Sequence, residues 1–163
     1  MFRPLARAAL ETGCRYGELG RLEVSDYNAD AGTVLIRKTK NSRPRHVVLT
    51  KEGAAFFAFV CRGRHESELM FTRANGEPWR RTNNGFYVRE ACERAGLKVH
   101  FHLLRHTWCS HAVMNGIPLV IVARNLGHVD TRMVERVYSH LAPSYVTDAI
   151  RQNGPRFVDQ KIF

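Results

Sequence analysis

Cysteine is scarce in this chain, and its few cysteines lie far apart. They form no C-x-x-C pair, which argues against a zinc knuckle and a disulfide framework; the four are Cys14, Cys61, Cys92 and Cys109. Reduced thiols are typical of an intracellular protein, so we expect a cytoplasmic location. No signal peptide opens the sequence, and the longest apolar run, at 117–123, is too short to cross a bilayer.

Acidic residues are also sparse. The chain has 15 Asp and Glu against 25 Lys and Arg, so its formal charge is +10. A compact basic domain usually binds a polyanion, and nucleic acid is the first expectation. A membrane surface would require a basic amphipathic helix with a spare apolar face, and the apolar faces here are better used for a core. The apolar content of 44% is enough for that core and excludes a disordered chain.

Paired aspartates are missing altogether. The aspartates are scattered and form no D-x-D or D-x-E pair; they are Asp26, Asp30, Asp130, Asp148 and Asp159. Metal-dependent nucleases hold their ions with clustered carboxylates, so we expect chemistry that needs no metal and no cofactor.

The patterning predicts an α+β domain of 163 residues, mostly α-helical with one small antiparallel hairpin. Helices are predicted over 2–12, 15–22, 52–62, 102–115, 118–126, 131–141 and 143–152, and from Thr82 or Asn83 to Gly96. Thr50 is the predicted N-cap of the helix at 52–62. Strands are predicted over 33–38 and 45–50, joined by a polar turn at 39–44.

The stretch HFHLLRHTW, at 100–108, allows two interpretations. His102 and His106 are four residues apart, which places them on one helix face at a spacing that metal sites use. His102 and Arg105 also share a face and could bind a phosphate instead. The missing carboxylate clusters favour the anion site, with His106 in a supporting position.

Four separated segments carry the chemistry. They are TGCRYGEL with Arg15, a hairpin with Lys40 in a span free of acidic residues, HLLRH with His102 and Arg105, and LGHVDTRMVERVY with His128 and Tyr138. Together they resemble the catalytic domain of the tyrosine recombinase (phage integrase) family. Family members carry an arginine box, a hairpin lysine, an H-x-x-R box, an L-G-H box and a tyrosine in this order, and here these motifs span residues 12–141.

The resemblance implies site-specific recombination of double-stranded DNA through a covalent 3′-phosphotyrosine. Arg15 and Arg105 would hold the phosphate through charge-assisted bonds, and His128 would donate a hydrogen bond to it. Tyr138 would be the nucleophile, His102 the base or proton relay, and Lys40 the general acid. The basic hairpin suggests further DNA contacts from Arg37, Lys38, Arg43 and Arg45.

Each motif alone has an ordinary explanation. Arg15 and Glu18 could be a surface helix pair, the basic hairpin could protect a sheet edge, and His106 and His111 could be core or surface residues. The general acid could be Lys38 rather than Lys40. Many family members place the tyrosine nine residues after the L-G-H histidine, whereas ten separate His128 from Tyr138 here.

The alternative functions are relaxation of DNA by type IB topoisomerase chemistry, and DNA binding by a domain that no longer cuts. The resemblance also predicts that residues 1–163 form a C-terminal catalytic domain, with the family's N-terminal DNA-binding domain absent from this chain. It predicts a monomer in free solution and a homotetramer on paired DNA sites.

Overall fold

A computed structural model describes residues 2–37, 44–80, 82, 84–96, 98, 100–128, 130–138, 147, 148, 150–152 and 154. The helices are α1 (Phe2–Thr12), α2 (Tyr16–Leu19), α3 (Lys51–Cys61), α4 (Asn84–Ala95), α5 (His102–Met114), α6 (Leu119–Leu126) and α7 (Arg132–Tyr138). The strands are β1 (Tyr27–Asn28), β2 (Thr33–Ile36) and β3 (Arg45–Val48), and a 3₁₀ turn at Val24–Asp26 leads into β1. The predicted class, mostly helical with a small antiparallel sheet, is confirmed.

The sheet has three strands in the order β1-β2-β3, and both pairings are antiparallel. β2 and β3 form the predicted hairpin, with Ile36 opposite Arg45. The prediction of a hairpin alone missed β1, because its 2 residues are too few to show strand alternation. Residues 38–43, which include Lys38, Lys40 and Arg43 and most of the predicted turn, lie outside the described residues.

Two apolar clusters build the interior. The first core joins α1, the sheet and α3, and its fully buried members include Leu5, Val34, Val47 and Phe57. The second core joins α5, α6 and α7, and includes Cys109, Val113, Val122, Leu126, Val134 and Tyr138. Contacts between α1 and α5 connect the two halves. The motif residues therefore lie on elements that meet where the cores adjoin.

Capping residues set several helix ends as predicted. The Thr50 side chain accepts a hydrogen bond from the Gly53 amide at 3.0 Å, which caps α3. Gly127 ends α6 in the left-handed conformation with φ of 72°. Of the helix predicted over 143–152, residues 147, 148 and 150–152 are described and are helical. No described helix is both long and apolar enough to span a bilayer.

Candidate active site

One face of α5 carries four side chains that can take part in chemistry. His102, Arg105, His106 and Cys109 follow one another at helical spacing, so they lie in a row along the helix. His102 is at the exposed end of the row, whereas Arg105 and Cys109 are buried. The row thus runs from the surface of the domain into the second core.

Arg105 is held by main-chain oxygens from two different elements. Its Nη1 donates to the Gly13 carbonyl and its Nη2 to the Leu126 carbonyl, both at 2.8 Å. Burial and the neighbouring Arg15 guanidinium lower the pKa of Arg105 to about 10, so it stays charged at neutral pH. These bonds fix the guanidinium between the end of α1 and the end of α6.

His128 lies directly against Arg105. Arg105 Nη2 is 2.8 Å from His128 Nε2. Because a guanidinium only donates hydrogen bonds, Nε2 must be the acceptor, and the neutral ring carries its proton on Nδ1. Burial, Arg105 and Arg15 all lower the pKa of His128. In this arrangement His128 accepts from Arg105 rather than donating through Nε2.

Arg15 starts α2 and faces a buried carboxylate. Its backbone amide donates to Glu18 Oε2 at 2.8 Å, and its Nη1 donates to Oε1 at 3.2 Å. The Glu18 side chain is only 4% exposed, whereas that of Arg15 is 42% exposed. The Arg15–Glu18 pair considered from sequence therefore exists, but its acid is part of the interior.

Arg45 completes this group from β3. Its Nη1 and Nη2 both donate to Glu18 at 3.0 Å, and its Nε donates to the Asn125 carbonyl at 2.8 Å. The side chain is 9% exposed, which is unlike the solvated DNA contact predicted from the basic hairpin. Burial raises the pKa of Glu18, but the bonds and charges of Arg45 and Arg15 outweigh it and hold that pKa below its usual range.

An aromatic pair sets the spacing between Arg15 and His102. Tyr16 follows Arg15, Phe101 precedes His102, and the two rings meet edge to face with centroids 5.1 Å apart. The Tyr16 hydroxyl also donates to the Arg80 carbonyl at 3.1 Å. Since both rings are buried, the start of α2 and the start of α5 are held together.

Arg15, His102 and Arg105 line one groove. This groove has a volume of about 1340 Å³, and Arg21, Arg37, Trp79 and Arg80 also line it. Tyr138 is not among the described residues on its wall. The groove is large enough for a segment of a phosphate backbone, and its walls carry more cations than anions.

Tyr138 is at the end of α7 and is 7% exposed in the second core. Its hydroxyl is 2.5 Å from Nδ1 of His106. Burial, and then the nearby Cys109, raise the pKa of Tyr138 above its ordinary value. The sequence alone allows His106 a supporting position at the site or an ordinary core or surface position. Its i+4 spacing from His102 is the signal in the sequence that points to the site.

The remaining predicted DNA contacts have separate placements. Arg37 is 52% exposed and donates to Asp26 at 2.7 Å and to Glu23 at 2.8 Å. Lys38, Lys40 and Arg43 lie outside the described residues. Within the described part of the chain, no three His, Cys, Asp or Glu side chains are grouped so that they could hold a metal ion.

A family model described as "Phage integrase family" matches residues 3–144. The chain belongs to the phage integrase family. The match takes in every motif residue of the site, from Arg15 to Tyr138. The resemblance noted from the motifs is therefore confirmed at the level of the family.

Two curated members of the phage integrase family are similar over most of the chain. It is 33% identical to the integrase of Escherichia phage P2 over 155 residues, which covers 94% of the chain and 42% of that protein. It is 30% identical to the integrase of Escherichia phage 186 over 156 residues, 91% of the chain and 40% of that protein. The chain spans less than half the length of these relatives.

Solved structures of an integrase and a recombinase have the same fold. The catalytic domain of bacteriophage HP1 integrase superposes with a TM-score of 0.69 at 26% identity, covering 94% of this chain and 84% of that one. A crystal structure of XerA recombinase gives a TM-score of 0.68 at 23% identity, covering 95% and 63%. This integrase-family fold is what brings the four motif segments together.

Proposed function

We propose that this domain cuts and rejoins double-stranded DNA in site-specific recombination, through a covalent 3′-phosphotyrosine at Tyr138. The observation that carries the proposal is the joint placement of Arg15, His102 and Arg105 on one groove, with His128 on Arg105. Membership of the phage integrase family and the similarity to two phage integrases support it. The relatives are named integrases and recombinases, which does not favour topoisomerase activity or a binding remnant.

The two arginines would stabilise the charge that develops on the phosphate in the transition state. A guanidinium has five N–H donors, and the described contacts of Arg105 use one Nη1 and both Nη2 hydrogens. Its Nε–H and second Nη1–H are not used by these contacts and would be available as donors, while Arg15 would approach the phosphate from the start of α2. Losing one such preorganised donor costs roughly 10²–10³-fold in rate at comparable sites.

His128 would become a donor at Nε2 only when the substrate arrives. A phosphate anion beside it opposes the effect of Arg105 and Arg15 and raises its pKa. The protonated ring can then donate from both nitrogens. Lys40 would protonate the leaving 5′ oxygen. Arg45 is assigned to holding Glu18 rather than to DNA, because its donors are directed inward.

The assembly and the location are part of the same proposal. We expect a monomer in free solution, a homotetramer on paired DNA sites, and action in the cytoplasm. These expectations come from the resemblance to the tyrosine recombinase family. Size-exclusion chromatography with light scattering checks the monomer, and a stable tetramer formed without DNA contradicts it.

The proposal is tested with a pool of nicked suicide duplexes of randomised sequence. Cleavage releases a short strand that diffuses away, so the covalent protein–DNA adduct accumulates and is counted on a denaturing gel. Tyr138→Phe should abolish the adduct, because only the attacking oxygen is lost. Its unfolding free energy should fall by about 0.5–1.5 kcal/mol, the usual value of one hydrogen bond.

Tyr87→Phe is the matched control, because Tyr87 packs on Trp79 with ring centroids 4.9 Å apart and lies outside the motifs. It should form the adduct at the wild-type level. An adduct that persists in Tyr138→Phe would identify another nucleophile. A wild-type protein that binds the duplex without any adduct would support the non-catalytic alternative instead.

A further inference from the structure

The nucleophile is surrounded by a small set of groups from α5. The Tyr138 hydroxyl is 2.5 Å from His106 Nδ1, and Cys109 lies one turn further along the same helix face. The His106 ring in turn meets the His102 ring edge to face, with centroids 4.9 Å apart. His102 lines the groove. A continuous row of side chains thus runs from the groove to the nucleophile.

A phenol in this setting needs a proton acceptor before it can attack. A neutral tyrosine is a weak nucleophile and must be activated by an adjacent base or a lowered pKa. Burial does the opposite here, because it raises the pKa of Tyr138. The activation therefore has to come from a neighbouring base, and a base must be within about 2.6–3.2 Å of the proton's oxygen.

His106 meets that geometric requirement. We infer that His106 is a catalytic residue, the base that removes the proton from Tyr138 when the tyrosine attacks DNA. This inference rests on the proposed function. It differs from the role that the family resemblance gave to His102, which lies one turn nearer the groove. His102 is then the positioning residue, packed against the ring that does the proton transfer.

The step balances as follows in atoms and charge. The Oη–H bond of Tyr138 breaks and its proton moves to Nδ1 of His106, which becomes an imidazolium. The bond between Oη and phosphorus forms, and the bond between phosphorus and the 5′ oxygen breaks. The 5′ oxygen takes a proton from the general acid, proposed as Lys40. Rejoining runs the same transfers backwards, and His106 returns the proton to the phenol.

The surrounding charges tie this transfer to substrate binding. Burial, His106, Arg105 and Arg15 all lower the pKa of His102, so this face of α5 opposes another positive charge. The proton transfer from Tyr138 adds a positive charge to this face, next to His102. A phosphate bound between Arg15 and Arg105 supplies the compensating negative charge. Binding of DNA therefore favours the transfer of the proton from Tyr138 to His106.

Single-turnover adduct formation with the suicide duplex pool tests the inference. His106→Ala should slow it by about 10²–10⁴-fold, the usual contribution of a positioned base. His106→Gln should be slowed as well, because an amide can hold the hydroxyl but cannot take its proton. His111→Ala is the matched control: His111 is exposed near the end of the same helix, and its removal should leave the rate unchanged.

A second measurement separates proton removal from mere packing. Tyr138 is replaced by a fluorinated tyrosine, whose more acidic phenol needs less help from a base. The loss caused by His106→Ala should shrink in this background. A loss of the same size in both backgrounds overturns the base role, because packing does not depend on the acidity of the phenol.

The other outcomes are equally decisive. If His106→Ala forms the adduct at the wild-type rate or faster, the inference is overturned and the proposed function stays intact. A faster rate would mean that the contact with His106 holds Tyr138 in an unreactive position. A wild-type rate in His106→Gln also overturns it. A wild-type protein that forms no adduct overturns the proposed function, and this inference with it.

Discussion

Glu18 balances the charge of the site, because it is the acid that the two arginines Arg15 and Arg45 share. Glu18→Gln should remove that balance and leave the buried Arg45 guanidinium without a counter-charge. Breaking a buried pair from one side costs about 3–5 kcal/mol. Urea unfolding measures the loss. Glu11→Gln is the control, since its partner Arg7 is 55% exposed and such surface pairs contribute at most about 1 kcal/mol. Equal losses in the two variants would contradict the balancing role.

The same carboxylate predicts a pH dependence. The folded pKa of Glu18 is lowered, so its stabilisation is fully present above the unfolded value, about 4.3. It is lost as the pH falls through the folded value. The difference in unfolding free energy between wild type and Glu18→Gln should be constant at higher pH and narrow below about pH 4.3. A difference that widens in acid would contradict the sign of this pKa shift.

Single residues could be predicted where a sequence motif identifies them. They could not be predicted where only tertiary packing determines their role. Arg15, His102, Arg105 and His128 could be selected because their spacing follows a motif, and the fold brings them together. The inward direction of Arg45 could not be foreseen, because it depends on Glu18 and the Asn125 carbonyl, which are distant in sequence.

Gly13 follows α1, and its carbonyl accepts a hydrogen bond from Arg105. Gly13 has φ of +66°, and a Cβ there would lie 2.7 Å from Leu126 Cδ2 and 2.8 Å from Trp108 Cε3. Gly13→Ala should therefore add steric overlap, about 1–3 kcal/mol, to the backbone strain of about 1–2 kcal/mol. It should also slow cleavage, since the carbonyls of Gly13 and Leu126 both hold Arg105.

Gly63→Ala is the matched control for this prediction. Gly63 has φ of +68° and no atom within 4 Å of an added Cβ, so it reports the backbone strain alone. Thermal unfolding and the adduct assay compare the two variants. If Gly63→Ala is as destabilising and as slow to cleave as Gly13→Ala, the overlap with Leu126 and Trp108 has no effect.

The β2–β3 hairpin supplies the general acid in the proposed mechanism. The 5′ oxygen leaves as a poor alkoxide unless it is protonated, whereas a 5′ sulfur leaves without a proton. Lys40→Ala should therefore cleave a 5′-bridging phosphorothiolate at nearly the wild-type rate and cleave the oxygen substrate about 10²–10⁴-fold more slowly. Equal loss on both substrates would show that Lys40 is not the acid. Rescue by sulfur in Lys38→Ala would assign the role to Lys38.

Elements were predictable in proportion to their length and capping. α3 and α5 were located closely because apolar periodicity and a threonine cap or a terminal glycine define them. β1 escaped prediction because it has only 2 residues. The 3₁₀ turn at Val24–Asp26 leads directly into β1, which pairs with β2, and no alternation of apolar and polar residues marks this strand.

The whole molecule should bind DNA chiefly through its charge. Its excess of Lys and Arg gives +10, and each phosphate neutralised contributes about −0.9 to the slope of log K against log salt. With several contacts we expect a slope of roughly −4 or steeper. Fluorescence anisotropy with a labelled duplex at a series of salt concentrations measures it. A nearly flat response would contradict the polyanion argument.

Two of the three acceptors that hold Arg105 are main-chain carbonyls, those of Gly13 and Leu126. A carbonyl is present whatever side chain a position carries. Substitutions that accumulate in α6 therefore leave this part of the support of Arg105 in place. Lineages can therefore diverge widely while keeping the same reactive geometry. Chains with as little as 17% identity to this one still superpose on its fold, and support from main-chain carbonyls does not depend on the side-chain identity that has been lost.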